Sequence, residues 1–255
     1  MSFVSPIVPV IPLRAEAAHR SEMVSQFLFG EVAEVLEKAK DFSKIRILND
    51  DYIGWCQSNQ VNEVLENQIQ TEQALLNGDL LGTVTINGTK MHIPFGVSLQ
   101  HFENGLAQIG HYKMEFEGKY WNPKGASFDE ETILWVSTNF LNTAYLWGGR
   151  TIFGIDCSGF TQQVFRFLNI SLPRDAYQQA SLGEIVGFLQ ESICGDLAFF
   201  DNAEGKITHV GIMLNATTIM HASGKVRIDD IDNMGIINRD TSERTHQLRI
   251  IKRYQ

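Results

Sequence analysis

Between Tyr145 and Phe160 the chain reads Y-L-W-G-G-R-T-I-F-G-I-D-C-S-G-F. Glycines at 148, 149 and 154 call for a tight loop, because Gly loses more freedom than any other residue when held in a helix or strand. Directly afterwards Phe160, Val164 and Leu168 recur at every fourth position, the spacing of an apolar helical face. The segment therefore has to fold as a loop that delivers Cys157 to the first turn of a helix. Unpaired N–H groups and the helix dipole lower a thiol's pKa at such a position. They can also face an oxyanion. Cys157, within Asp156-Cys157-Ser158-Gly159, is a candidate nucleophile for an acyl carbon. The competing reading is a buried structural cysteine, the usual fate of a lone thiol. Polar flanks and the glycine-rich approach favour the nucleophile.

Two histidines follow in strand-like contexts, His209 in I-T-H-V-G-I-M-L and His221 in T-I-M-H-A-S-G. On a strand His209 shares a face with Ile207, Gly211 and Met213. It is the candidate general base, although a half-buried, satisfied histidine would look the same alone. His221 lies twelve residues on, across a possible turn at Asn215. A hairpin with an odd loop or a bulge places the two directly opposite on one face. A plain two-residue turn places them on opposite faces. On one face, His221 would orient His209 and hold its tautomer. His19, His92, His101, His111 and His246 have no comparable partners and read as surface or turn residues. No H-E-x-x-H occurs, so a zinc peptidase is not expected, and the glycine-rich loop lacks the G-K-[ST] ending of a phosphate loop. Cys56 and Cys194, with Phe165, Phe167, Phe199 and Phe200, read as core.

The net charge of −9 disfavours nucleic acid and anionic membranes as partners. Three cysteines with no C-x-x-C pair give neither a disulfide framework nor a metal clip, and suit a reducing compartment. The apolar N-terminus carries Pro6, Pro9 and Pro12 and no basic start, so it is a poor signal peptide. No apolar run reaches transmembrane length. A soluble, cytoplasmic protein without cofactor or metal, and a monomer, is the expectation.

Residues 1–68 form short strand-like runs between polar turns and suggest a small β-barrel; the alternative is a helix at Ser21–Phe29. Residues 69–125 repeat the style, with Asn87-Gly88 as a hairpin turn and an alternating run through His111–Trp121, giving a second, diverged barrel. Asn122-Pro123-Lys124-Gly125 is a boundary cluster. From 126 the texture becomes helices first, then strands at G-D-L-A-F-F, I-T-H-V-G-I-M-L and T-T-I-M-H, which is an α+β domain over 126–255.

The succession D-C-S-G-F, G-D-L-x-F-F, H-V-G-I and a second His twelve residues on resembles the NlpC-type cell-wall peptidase family. The resemblance implies a papain-like core with a Cys-His-His triad of Cys157, His209 and His221. The N-terminal half, on its strand texture and Y-I-G-W, looks like the bacterial Src-homology-3-like barrels that precede such domains. Together they are similar to the subgroup cleaving γ-D-glutamyl bonds to a diamino acid in murein peptides with a free N-terminal L-alanine. That likeness implies Tyr145, Trp147, Asp156 and Ser158 beside the substrate. It adds Arg174 and Asp175 near the groove, and Tyr52 and Glu22 as amine binders from the barrel. Asp156 could equally be a helix N-cap, Arg174 and Asp175 a surface ion pair, and Glu22 a solvated charge. Ala176 stands where a small hydroxyl residue is expected. A wall hydrolase acting on intact peptidoglycan, a non-catalytic wall-binding module and another acyl chemistry remain alternatives.

Overall fold

Asn87 and Gly88 both take positive φ, 47° and 84°, the type I′ pattern that matches strand twist. They reverse the strand Leu81–Ile86 onto Thr89–Pro94 in this computed structural model, which describes residues 1–69 and 74–254. The hairpin joins Tyr112–Glu117 and Leu106–Ile109 in a four-stranded antiparallel sheet. Along Tyr112–Glu117 the alternation holds, with Met114 and Phe116 buried and Lys113, Glu115 and Glu117 exposed.

Residues before this sheet form a second antiparallel sheet of seven strands, in the order Met23–Leu28, Val10–Arg14, Ile53–Gln57, Phe42–Ile47, Ala33–Ala39, Phe3–Pro6, Val61–Val64. The helical alternative for Ser21–Phe29 is thereby replaced by a strand. Its period-2 register buries Phe27 beside Ile11, Leu13, Ile45, Ile47 and Cys56. The two sheets are not insulated from each other. Leu28, Phe29 and Val64 of the first pack into one apolar cluster with Val84, Ile93, Ile109 and Met114 of the second. The expected boundary at 68/69 adjoins residues 70–73, which lie outside the described residues. By contact the chain divides into Met1–Gly125 and Ala126–Gln255.

In the second unit, helix α1 (Glu130–Thr138) starts at Asp129, whose carboxylate accepts the Thr132 N–H at 2.8 Å. Glu130 and Glu131 in its first turn suit the positive end of the dipole. Helix α2 (Cys157–Phe167) is capped by Asp156, and Phe160, Val164 and Leu168 are all buried. A short helix α3 (Ala176–Ala180) follows. The strands Leu197–Asp201, Ile207–Asn215 and Thr218–Ser223 lie where the apolar runs place them. Three more, Lys225–Asp232, Gly235–Ile237 and Arg244–Arg253, with the short Glu184–Val186 paired to the last, complete the sheet. The last pairs with both Leu197–Asp201 and Gly235–Ile237, so six strands close into a ring. Closure removes the edges an open sheet would expose. Helix α2 packs on Ile207–Asn215 and Thr218–Ser223, and α1 packs on α2.

Gly30 joins the sheets of the first unit at a point that tolerates no side chain. Its φ is +76°, and a Cβ there would lie 1.9 Å from the Ser98 carbonyl oxygen. Gly30→Ala should lower unfolding free energy by about 2–4 kcal/mol, since strain and overlap act together. Urea denaturation checks this; a loss below about 0.5 kcal/mol would contradict the close-approach account.

Candidate active site

The loop before α2 is drawn in by one carboxylate. Asp156 accepts the Gly148 N–H at 2.8 Å and the Gly159 N–H at 2.7 Å, so it ties the glycine turn to the helix it caps. Gly159 has to be glycine, because a Cβ there would lie 2.4 Å from the Gly149 carbonyl oxygen. Arg174 grips the same carboxylate with both terminal nitrogens, at 3.0 and 2.5 Å, and donates to Ser158 Oγ at 2.9 Å. Arg174 is 2 % exposed. The alternative reading of Arg174 and Asp175 as a surface ion pair is therefore replaced by a buried pair of Arg174 with Asp156, because the acid at the helix N-terminus needs a charge partner inside the protein. Asp175 instead starts α3, its N–H bonded to Gln178 Oε1 at 3.1 Å. Removing Arg174 would strand a buried carboxylate. Arg174→Met should destabilise the protein by about 3–5 kcal/mol in urea unfolding, and a change below about 1 kcal/mol would refute the buried pair.

Cys157 stands on the first turn of α2, buried, with the backbone N–H groups of Val210 and Ser158 directed at its sulfur. Val210 follows His209, so the histidine's strand runs alongside the thiol. Burial, then the Asp156 charge, push the Cys157 thiol up to about 12, outweighing those N–H groups and Arg174. This corrects the expectation of a helix-lowered thiol. The dipole acts, but desolvation of the charged form is larger. Tyr145, half-buried, lies close enough to Cys157 and Asp156 that burial and then their charges raise its hydroxyl pKa. Trp147 is 60 % exposed on the same loop.

The histidines meet across the hairpin Ile207–Asn215/Thr218–Ser223. Its turn is the two-residue Ala216-Thr217, which alone would put His209 and His221 on opposite faces. An irregularity between Met213 and Asn215 leaves Leu214 as an extra residue and restores the phase. His221 then pairs with Gly211, not with His209 as a direct opposite. The imidazoles reach each other diagonally over the glycine, with His209 Nε2 and His221 Nδ1 2.8 Å apart. A Cβ at 211 would sit 2.8 Å from His221 Cβ, so Gly211 leaves the room this diagonal needs. Burial, then His221 and His246, hold His209 well below its usual pKa. Both shifts favour the neutral thiol and the neutral imidazole in the resting site.

Two residues at the site carry no local sequence signal. Asp229 is buried with an oxygen 2.9 Å from His221 Nε2. His246 stacks on His209, ring centroids 4.1 Å apart at 23°. The surface or turn placement expected for His246 is corrected by ring closure, which lays Arg244–Arg253 beside Leu197–Asp201 and brings a distant histidine onto the site. Strand pairing between remote segments was the missing information. Nitrogens of His209, His221 and His246 come within 4.8 Å of one another. They do not converge as ligands. Stacked rings point their lone pairs in parallel, and His209 Nε2 is engaged by His221. Cys56 is core, whereas Cys194, read as core, is half-buried near Glu130 and Asp196. Tyr52 and Glu22 belong to the N-terminal unit. Tyr52 packs on its core and Glu22 is exposed.

A neutral thiol alkylates slowly, because the thiolate is the reactive form. At pH 7 Cys157 should react with iodoacetamide more slowly than a free cysteine, the rate rising steadily into the alkaline range. A rate above the free thiol's at pH 7, levelling off below neutrality, would contradict the neutral resting pair.

A buried thiol at a capped helix start, beside two bonded imidazoles on a closed antiparallel sheet, can perform acyl transfer through a thioester. Residues 142–245 match the NlpC/P60 family, and residues 13–61 match the bacterial dipeptidyl-peptidase Sh3 domain. A γ-D-glutamyl-L-lysine dipeptidyl-peptidase of Bacillus subtilis is 43 % identical over 94 residues, covering 36 % of this chain and 31 % of that protein. The chain thus spans about a third of that relative's length. A probable endopeptidase of Haemophilus influenzae is 37 % identical over 132 residues, covering 49 % of this chain and 77 % of that protein. The crystal structure of an NlpC/P60 family protein from Bacillus cereus shares the fold, with a TM-score of 0.77 at 19 % identity over 99 % of each chain. The fold, the motif-bearing region and the Haemophilus relative agree: the chain belongs to the NlpC/P60 family.

Proposed function

We propose that this protein is a cysteine peptidase that cleaves the γ-D-glutamyl bond to a diamino acid, meso-diaminopimelate or L-lysine, in murein peptides with a free N-terminal L-alanine. The products are L-Ala-D-Glu and a peptide beginning with the diamino acid. The observation that carries this reading is the union, in one chain, of the Cys157–His209–His221 arrangement with a match to a dipeptidyl-peptidase Sh3 domain. The name of the Bacillus subtilis relative supports the same bond. Three thiols without a bridge fit a reducing, cytoplasmic setting in which the substrate is free peptide.

In this reading Cys157 is the nucleophile. With Nε2 held by His221, His209 offers Nδ1 to the thiol. His209 takes the proton as sulfur attacks the γ-carbonyl carbon of D-glutamate. The carbonyl π bond opens to an oxyanion. The Cys157 and Ser158 amides at the start of α2 have no intrahelical acceptor, and we assign them to that oxyanion. The C–N bond breaks as His209 returns its proton to the departing amine, leaving a thioester. Water, deprotonated by His209, cleaves the thioester and restores the thiol. Tyr145 and Trp147 line the approach to Cys157. Asp156 and Arg174 hold the helix start in place, and Ser158 Oγ is held by Arg174.

Mass spectrometry of L-Ala-γ-D-Glu-meso-diaminopimelate, its N-acetylated copy and the Cys157→Ala variant tests the reading. Release of L-Ala-D-Glu from the free peptide only, and only by the parent, is the expected result. Cleavage of both peptides alike would discard amine selectivity and favour action on intact wall. Cleavage of neither would overturn the substrate assignment.

A further inference from the structure

The hydrogen-bonded chain continues past His221 to a residue with no assigned part. Asp229 lies on Lys225–Asp232, where Arg227 pairs directly with His221, so Asp229 is two residues along on the same face. One carboxylate oxygen, Oδ2, is 2.9 Å from His221 Nε2. The other, Oδ1, accepts Arg227 Nη2 at 2.8 Å and the Arg239 N–H at 3.0 Å. Burial pushes the Asp229 carboxyl up, but bonds from His221, the Arg239 N–H and Arg227 outweigh it and hold it well below the ordinary range. Arg227 is shared with Asp240 at 2.9 Å, so one guanidinium faces two carboxylates and the cluster keeps a net negative charge. His246 stands near on the far side, its ring centroid 5.8 Å from that of His221.

Valence fixes the rest. An ionised carboxylate only accepts, so His221 must carry its proton on Nε2. In the neutral form of His221 that is the only N–H, so Nδ1 is then a lone pair. That lone pair faces His209 Nε2 at 2.8 Å, so His209 donates from Nε2 and its Nδ1 is left as an acceptor. Reversal of any one of these bonds would turn a proton donor towards the thiol.

We propose that Asp229 is a positioning residue that sets both imidazole tautomers from the far end of the chain and stabilises the positive charge His209 acquires when Cys157 gives up its proton. This rests on the peptidase reading above for its catalytic consequence, but the tautomers belong to the resting protein and need no substrate. Arg227 Nη2 and the Arg239 N–H both donate to Oδ1, while Arg227 Nε lies 2.8 Å from Oδ2 without an aligned bond, so the oxygen of an Asn at 229 would take the Oδ1 place. Its NH2 would then face His221 Nε2 and reverse the chain.

The test measures imidazole tautomers by 15N NMR in the parent and in Asp229→Asn, together with kcat on the free tripeptide. Expected are Nε2–H on both His209 and His221 in the parent. In Asp229→Asn both should become Nδ1–H, with kcat lower by about 10³–10⁴-fold and KM little changed. Asp229→Glu should retain the parent tautomers and recover most of the lost rate. Unchanged tautomers in Asp229→Asn, or a kcat within threefold of the parent, would overturn the proposal. If Asp229→Asn does not fold, the parent decides alone: Nδ1–H on His221 would overturn it, and Nε2–H would support it. A parent with the expected tautomers but no turnover would count against the substrate reading and leave the role of Asp229 standing.

Discussion

The hydrogen bond between His209 and His221 holds the site together, and it exists because the one residue too many on a strand is bulged out of the pairing. A two-residue turn at Ala216-Thr217 is compact, but strict pairing from it would direct the two imidazoles to opposite faces of the sheet. Leu214 absorbs the mismatch as a bulge. Gly211 then leaves a gap opposite His221 into which the diagonal contact fits. Backbone register and a missing side chain thus produce a pair of bonded imidazoles beside the start of α2.

The helix start has its own constraint. Asp156 ties down the Gly148 and Gly159 amides and needs Arg174 to be tolerated inside the protein. The acid also works against ionisation of Cys157, as does the thiol's burial. The consequence is a thiol that keeps its proton until a base removes it. In the proposed mechanism that gives His209 a task beyond steadying a preformed thiolate, and it makes the direction of the imidazole chain matter. Charge is kept low at the reacting atoms and supplied from Asp229, two hydrogen bonds from His209.

Much of this was legible in the sequence wherever the signal was local. The spacing of Phe160, Val164 and Leu168, the cap at Asp156 and the turn at Asn87-Gly88 each encode their structure within a few residues. The requirement for an odd loop or bulge between the histidines was also readable, because the face of a strand residue depends only on counting. The failures were non-local. His246 and Asp229 reach the site through the pairing of late strands, which no local pattern specifies. Arg174 read as a groove residue or half of a surface pair, and its buried bond to Asp156 was not foreseen because that partner lies eighteen residues away. The thiol's ionisation was misjudged because a helix N-terminus is visible in sequence and burial is not.

The claim at the centre of the account is that the bulge at Leu214 takes up the one residue that would otherwise put the two histidines out of phase. The direct measurement compares kcat/KM for the parent, for a chain lacking Leu214, and for a chain lacking both Met213 and Leu214. Without Leu214 the two-residue turn leads straight into the pairing of Met213 with Ile219, so both histidines stay on one face and most of the activity should remain. Removing Met213 as well moves His209 by one place and turns it to the other face, and turnover should be lost while the far-ultraviolet circular dichroism stays that of a folded protein. Loss of turnover on removing Leu214 alone in a folded protein, or turnover undiminished by the double deletion, would contradict the account.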